Sequence, residues 1–276
     1  MGTRLKSDRF DIPLRVSRWM YYLRSIPTIL LNVHNPLEVV RLFLGLPVRR
    51  PLLVRLRGGG RFWVSTPMDV WILKESCLDR FYERYGAVVQ DGWTVIDIGA
   101  GSGDFAISVA LRCPRSTVYA FEPFPESFAA LNVHRELNGT RNVQAFREAL
   151  AGTPGSVRVY SVTGLSGQNR TSSGDGPEGV ETVAATLDQV FASLHLGQCD
   201  FMKVDCEGGE YDIIFHASGD TLQRIRRISM EYHDGVTPHS HGDLVAFLES
   251  HGFRVHVHGN PAHRHLGYLY AENVAA

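Results

Sequence analysis

Only four cysteines occur in this 276-residue chain, Cys77, Cys113, Cys199 and Cys206, and no two form a CxxC pair. The sequence therefore carries neither a zinc-ribbon pattern nor a disulfide framework, and this usage predicts a reducing cytoplasm. Long apolar runs are lacking as well. The longest uncharged stretch near the N-terminus, residues 25–37, is interrupted by Pro27, Asn32, His34, Asn35 and Pro36, too short and too polar to span a bilayer as a helix. No charged n-region followed by an apolar h-region and a cleavage site opens the chain, so no secretory leader is expected. An excess of one charge is also missing, since the formal net charge is -1. With 44% hydrophobic and 21% charged residues, the composition is that of a folded domain rather than a disordered chain.

The near-zero charge conceals two unlike parts. Residues 1–61 hold twelve Lys/Arg against three acids, whereas the remainder holds 16 against 26. The first part reads as a basic extension, residues 1–67, ahead of a catalytic domain, residues 68–276. Within the extension, residues 15–31 read as a helix interrupted near Pro27, and Asn35-Pro36 opens a short helix ending near Gly45. Residues 52–57 and 61–65, joined by Gly58-Gly59-Gly60, read as a hairpin. Residues 68–85 again look helical.

From Thr94 the pattern changes to short β-rich runs separated by helix-length segments: 94–99, 117–122, 143–150, 200–205 and 227–232. Such alternation predicts an α/β fold with parallel strands and crossover helices. Two further runs, 253–258 and 266–272, lie only a turn apart and should pair antiparallel.

The sharpest motif is Asp97-Ile98-Gly99-Ala100-Gly101-Ser102-Gly103-Asp104, where a strand enters a glycine loop and then a helix. Glycines let a ligand approach the backbone, and the free N–H groups of the helix start can bind it. Asp104 stands where a dinucleotide fingerprint would carry its third glycine, and Asp97 suits a cationic ligand better than a pyrophosphate. Glu122, at the tip of the next strand, can accept hydrogen bonds from a ribose diol. Glu148-Ala149, ending the third strand, lie where an adenine edge would be read.

Together with Phe201-Met202-Lys203-Val204-Asp205-Cys206-Glu207-Gly208-Gly209-Glu210, Thr186-Leu187-Asp188 and Ala149-Leu150-Ala151-Gly152, these residues resemble the FkbM-type family of class I S-adenosylmethionine-dependent methyltransferases. The likeness covers roughly residues 68–272. It implies a Rossmann-like, mostly parallel seven-stranded sheet with an antiparallel last strand, following a helical and hairpin N-terminal extension. It also implies S-adenosylmethionine as cofactor, held by Asp97, Gly99, Ala100, Gly101, Gly103, Glu122, Glu148 and Ala149. The implied reaction is methyl transfer to a hydroxyl of a sugar, glycan or secondary metabolite. N-methylation of an amine, or a nucleoside-binding module without turnover, would fit the same cofactor set.

Methyl transfer to oxygen needs a group that removes a proton and holds the acceptor in line. In an extended strand Lys203, Asp205 and Glu207 share one face at the ligand-binding end of the sheet. Asp205 is the leading base, Lys203 its electrostatic partner, and Glu207 and Glu210 supports. His233, two residues beyond Glu231, is the second candidate base, because an unperturbed imidazole titrates near neutrality. No metal is assigned, although Asp205, Glu207, Glu231 and His233 include ligands that a divalent ion accepts. Three HxH pairs, 239/241, 256/258 and 263/265, lack a fourth ligand and read as surface groups.

The polar stretch 161–179, with Ser166 to Gly174 at its centre, reads as a loop that closes over a polyol acceptor. The basic N-terminus admits three roles: a cap on the acidic domain or a homodimer contact, a peripheral membrane contact, or a nucleic-acid grip. No nucleic-acid signature supports the last.

Overall fold

The computed structural model describes residues 25–161, 169–171, 179–260 and 265–274. The helix read from residue 15 therefore lies partly outside the described residues, as do most of the polar loop and His263.

A seven-stranded sheet organises the chain. Its strands are β3 (Thr94–Ile98), β4 (Thr117–Phe121), β5 (Val143–Phe146), β10 (Phe201–Val204), β11 (Arg227–His233), β12 (Phe253–Gly259) and β13 (Leu266–Asn273), in the order β12-β13-β11-β10-β3-β4-β5. The pairs among β11, β10, β3, β4 and β5 are parallel. Strand β13 runs antiparallel between β11 and β12. The central strands are apolar on both faces, as a sheet covered on both sides requires. Ile96, Ile98, Met202 and Val204 pack with α6 (Leu187–Ser193), α7 (Glu210–Phe215) and α8 (His241–Ser250). Val95, Val118 and Phe201 face the other way, onto α4 (Asp104–Arg112) and Leu131 of α5 (Pro125–Asn138).

The third strand differs from its sequence reading. The run 143–150 breaks after Phe146, and Ala149–Leu150 form β6 in a second, four-stranded sheet of order β6-β9-β7-β8. There β7 (Gly155–Ser161) pairs antiparallel with β9 (Gly179–Ala185) and with β8 (Asn169–Thr171). The segment read as an acceptor loop is thus partly strand. Arg147 and Glu148 supply the break, placing a half-buried acid between two sheets.

Ahead of the sheet, residues 25–32 are helical without interruption at Pro27. Helix α1 (Pro36–Phe43) begins at the expected Asn35-Pro36, but the Asn35 side chain does not cap it. That amide instead donates to Leu53 O of β1 (Leu52–Arg55), which forms a hairpin with β2 (Arg61–Val64). The helical stretch 68–85 is divided. Helix α2 (Pro67–Leu73), started by Thr66 and Asp69 in a reciprocal capping box, passes into a π-helical turn, Lys74–Leu78, and then α3 (Phe81–Arg84). Ile29, Val33, Val39, Phe62 and Val70 share a core with Ile107 of α4, so the N-terminal elements pack directly on the larger sheet's helix layer. Among the described residues no helix is long and apolar enough to cross a membrane, and all four cysteines are unpaired.

Candidate functional site

Strand β3 ends at Ile98 and the chain turns sharply through the glycines. Gly99 has φ +72°, and a Cβ there would stand 1.9 Å from Asp205 O, so the loop crosses the end of β10 at a distance only glycine allows. The N–H groups of Gly99 and Ala100 both donate to Phe121 O at 3.0 Å. Gly101, at φ +55°, would bring a Cβ to nothing nearer than Asp104 Oδ1 at 4.0 Å, leaving space over its backbone. Gly103 caps α4.

Glu122 fastens this loop. One carboxylate oxygen accepts from Gly101 N at 2.8 Å and the other from Phe124 N at 2.9 Å. Burial nevertheless pushes its carboxyl up to about 7. Each oxygen retains a second lone pair, so a diol could still be received. Glu148 lies in the gap between β5 and β6, and Ala149 is buried in β6 opposite Ala184.

Asp97 is wholly buried. Its charge is met inside the protein, where Lys203 Nζ lies 3.1 Å from Oδ1; Asp97 Oδ2 has no hydrogen-bond partner among the described residues. Burial pushes this carboxyl up to about 6 in spite of the lysine. Lys203, buried in β10, also donates to Gly99 O at 2.6 Å and stands 3.9 Å from Asp205 Oδ2. Burial alone would lower its pKa, but Asp97 and Asp205 raise it, so the ammonium stays charged.

Asp205 and Glu207 do not continue the strand. β10 ends at Val204, and Glu207 turns into the left-handed region at φ +50°. The strand alternation read from sequence thus stops at Val204, and Glu207 is carried round toward His233, its Oε2 3.4 Å from Nε2. Asp205 accepts a 2.6 Å hydrogen bond from the Tyr82 hydroxyl.

His233, at the end of β11, is gripped by Glu210. The same Glu210 oxygen accepts from His233 N at 2.8 Å and lies 3.1 Å from Nδ1, while the other accepts from Gly208 N. Burial would lower this histidine, but Glu210, followed by Asp205 and Glu207, carries it up to about 9. These carboxylates favour the protonated imidazole, a form without the free lone pair of a resting base. Beside it, burial and the charge of Asp205 push Glu231 up to about 8.

Asp205, Glu231 and His233 bring ligand atoms within 4.8 Å of one another, a spacing a divalent ion could bridge. Each also has a protein partner: Tyr82, Tyr268 (hydroxyl to Glu231 Oε1, 3.2 Å) and Glu210. Neither tyrosine was foreseen. Tyr82 comes from α3, far upstream with no motif to mark it. Tyr268 is the register partner of Glu231 across β11 and β13, whereas the antiparallel pair expected from sequence was β12 with β13. Lys203 thus joins Asp97 and the glycine loop to Asp205, beside which Glu231 and His233 stand, while Ala149 belongs to the other sheet.

The glycine loop with its acid-tipped neighbouring strand, and the Lys203–Glu210 run beyond it, lie within a longer match. The family model of the methyltransferase FkbM domain matches residues 97–255, more than half of the chain. The 31-O-demethyl-FK506 methyltransferase FkbM of Streptomyces tacrolimicus is 28% identical over 220 residues, covering 69% of this chain and 84% of that protein. Methyltransferase 1 of Beauveria bassiana is 27% identical over 210 residues, covering 68% and 82%. Among solved structures, methyltransferase FkbM from Methylobacillus flagellatus shares the fold with a TM-score of 0.50 at 12% identity, over 92% of this chain and 60% of that one. The same strand ends that carry the buried lysine and its carboxylates thus fall inside the matched segment, and the chain belongs to the FkbM family of methyltransferases.

Proposed function

We propose that this enzyme transfers a methyl group from S-adenosylmethionine to a hydroxyl of a sugar, glycan or secondary metabolite. The observation that carries the reading is the placement of Asp205. It lies at the carboxyl edge of the sheet, hydrogen-bonded to Tyr82 and bordered by Lys203, which in turn holds the glycine loop through Gly99 O.

The residues fit the cofactor. The space over Gly101 admits a ligand against the backbone, Glu122 offers lone pairs to a diol, and the half-buried Glu148 stands at the strand gap. Asp97, buried and paired with Lys203, braces the end of β3 beneath the loop. When bound, S-adenosylmethionine supplies an electrophilic methyl on a sulfonium, so the protein need only orient the acceptor and take its proton. Asp205 accepts that proton. Lys203 sets a positive charge 3.9 Å from Asp205 Oδ2, and Tyr82 fixes the carboxylate's orientation. His233, as an imidazolium, holds Glu207 and Glu210 at the edge instead of acting as the base. The Streptomyces relative is a 31-O-demethyl-FK506 methyltransferase, which supports oxygen as the acceptor atom.

Calorimetry with S-adenosylmethionine and with NAD tests the cofactor, and failure to bind the former overturns the reading. With labelled S-adenosylmethionine and hydroxyl acceptors, Asp205→Asn should lower kcat by about 10²–10⁴-fold with cofactor affinity retained. Near-parental turnover would remove Asp205 as the base, and label found only on amines would move the reaction to nitrogen.

A further inference from the structure

One surface of the N-terminal elements is at odds with a helix packed on a soluble domain. Such a helix turns one face to the core and polar residues to water. Helix α1 buries Val39 and Leu42, yet Leu37 on its other side is 76% exposed and Leu44 at its end 67% exposed. Leu37, Arg41 and Leu44 are spaced i, i+4, i+7 and so share a face. The helical run 25–32, which shares α1's core through Ile29, exposes Ile26 and Leu31, the latter to 71%. Phe43 and Leu46 are exposed as well.

Arginines accompany these side chains in the same stretch of chain. Residues 25–61 carry six, all exposed, against the single acid Glu38. Two are brought to the end of the 25–32 helix by backbone hydrogen bonds, Arg57 N to Asn32 O at 2.8 Å and His34 N to Arg55 O at 2.8 Å. None of the six is ion-paired among the described residues.

Charge selects the occupant. A second copy on a two-fold axis would set this basic face against itself. Residues 1–24 carry six Lys/Arg against two acids, so they too have the wrong sign for a cover. A nucleic-acid backbone would meet the arginines but has no counterpart for exposed leucines. A bilayer with anionic headgroups meets both, with leucines at the acyl boundary and guanidiniums at the phosphates. We propose that the face formed by residues 26–61 docks this enzyme onto an anionic lipid bilayer.

Vesicle flotation of the full chain tests this, with phosphatidylcholine vesicles compared with phosphatidylcholine–phosphatidylglycerol vesicles. The protein should float with the anionic vesicles only, and added salt should release it. Neutralising three arginines, Arg41→Gln, Arg49→Gln and Arg50→Gln together, should cut partitioning about a hundredfold. Leu37→Ser with Leu44→Ser should cut it at least about tenfold. Both variants change exposed side chains only, and an unaltered melting curve shows that the fold is kept. Absence of flotation, equal flotation on both vesicle types, or unchanged flotation of both folded variants overturns the proposal. A dimer in light scattering that dissociates in the leucine variant, with no flotation of the parent, assigns the face to a second copy instead.

Discussion

Replacing Lys203 with methionine tests the organisation of the site in a way that stability alone can read. Methionine keeps the unbranched stem and removes the ammonium, leaving Asp97 wholly buried with neither oxygen partnered and Gly99 O without its donor. Stranding one member of a buried pair costs about 3–5 kcal/mol. The pH dependence identifies the source. In the parent, Asp97 titrates at about 6, so above that pH it is ionised in both the folded and unfolded chain and adds no slope. Without Lys203 its folded pKa rises further, the native state keeps a proton that the unfolded chain has lost, and the gap between variant and parent widens by up to ~1.4 kcal/mol per pH unit above 6. Urea unfolding across that range, with Asp97→Asn added to the variant, is the assay. The second substitution removes the stranded charge and should abolish the extra slope. A destabilisation below ~1 kcal/mol, or a slope that survives Asp97→Asn, would refute the pairing as the reason for the lysine.

Three other outcomes are expected. Gly99→Ala forces a Cβ to 1.9 Å from Asp205 O at φ +72° and should cost at least about 2 kcal/mol in urea unfolding; a neutral result would mean that the loop does not cross β10 so closely. Glu122 at about 7, Glu231 at about 8 and His233 at about 9 all bind protons more tightly folded than unfolded. Their stabilisation is complete below the unfolded pKa values and is lost as pH rises through the folded ones, so the urea midpoint should fall between about pH 5 and 9, and a rising midpoint contradicts these environments. Chelation with EDTA should leave turnover unchanged, because Asp205, Glu231 and His233 already have protein partners; loss of activity restored by magnesium would make the three metal ligands.

The parts of this structure that local pattern encodes were legible from the residues alone. Strand, glycine loop and helix at 94–112, the parallel strands around them and the antiparallel pair at the end follow from apolar runs and their spacing. Long-range partners were not. The run 143–150 is continuous in β propensity, and only pairing with β9, far along the chain, draws Ala149–Leu150 into another sheet. Glu207 looked like the next residue on a strand face because period-two alternation cannot announce a left-handed turn. His233 looked like a neutral base because its proton affinity is set by Glu210, which reaches it through the fold. Tyr82 came from a segment whose sequence shows only helix-like periodicity.

Lys203 gives the site a thermodynamic property beyond its static bonds. One ammonium holds the carbonyl of Gly99 while standing between Asp97 and Asp205, so the loop that would receive a donor and the carboxylate that would receive a proton share a single tether. A ligand that shifts the loop changes the lysine's distance to Asp205, and an acceptor that engages Asp205 pulls on the loop. Where binding at either half moves this lysine, linkage requires each event to alter the affinity of the other by the same factor.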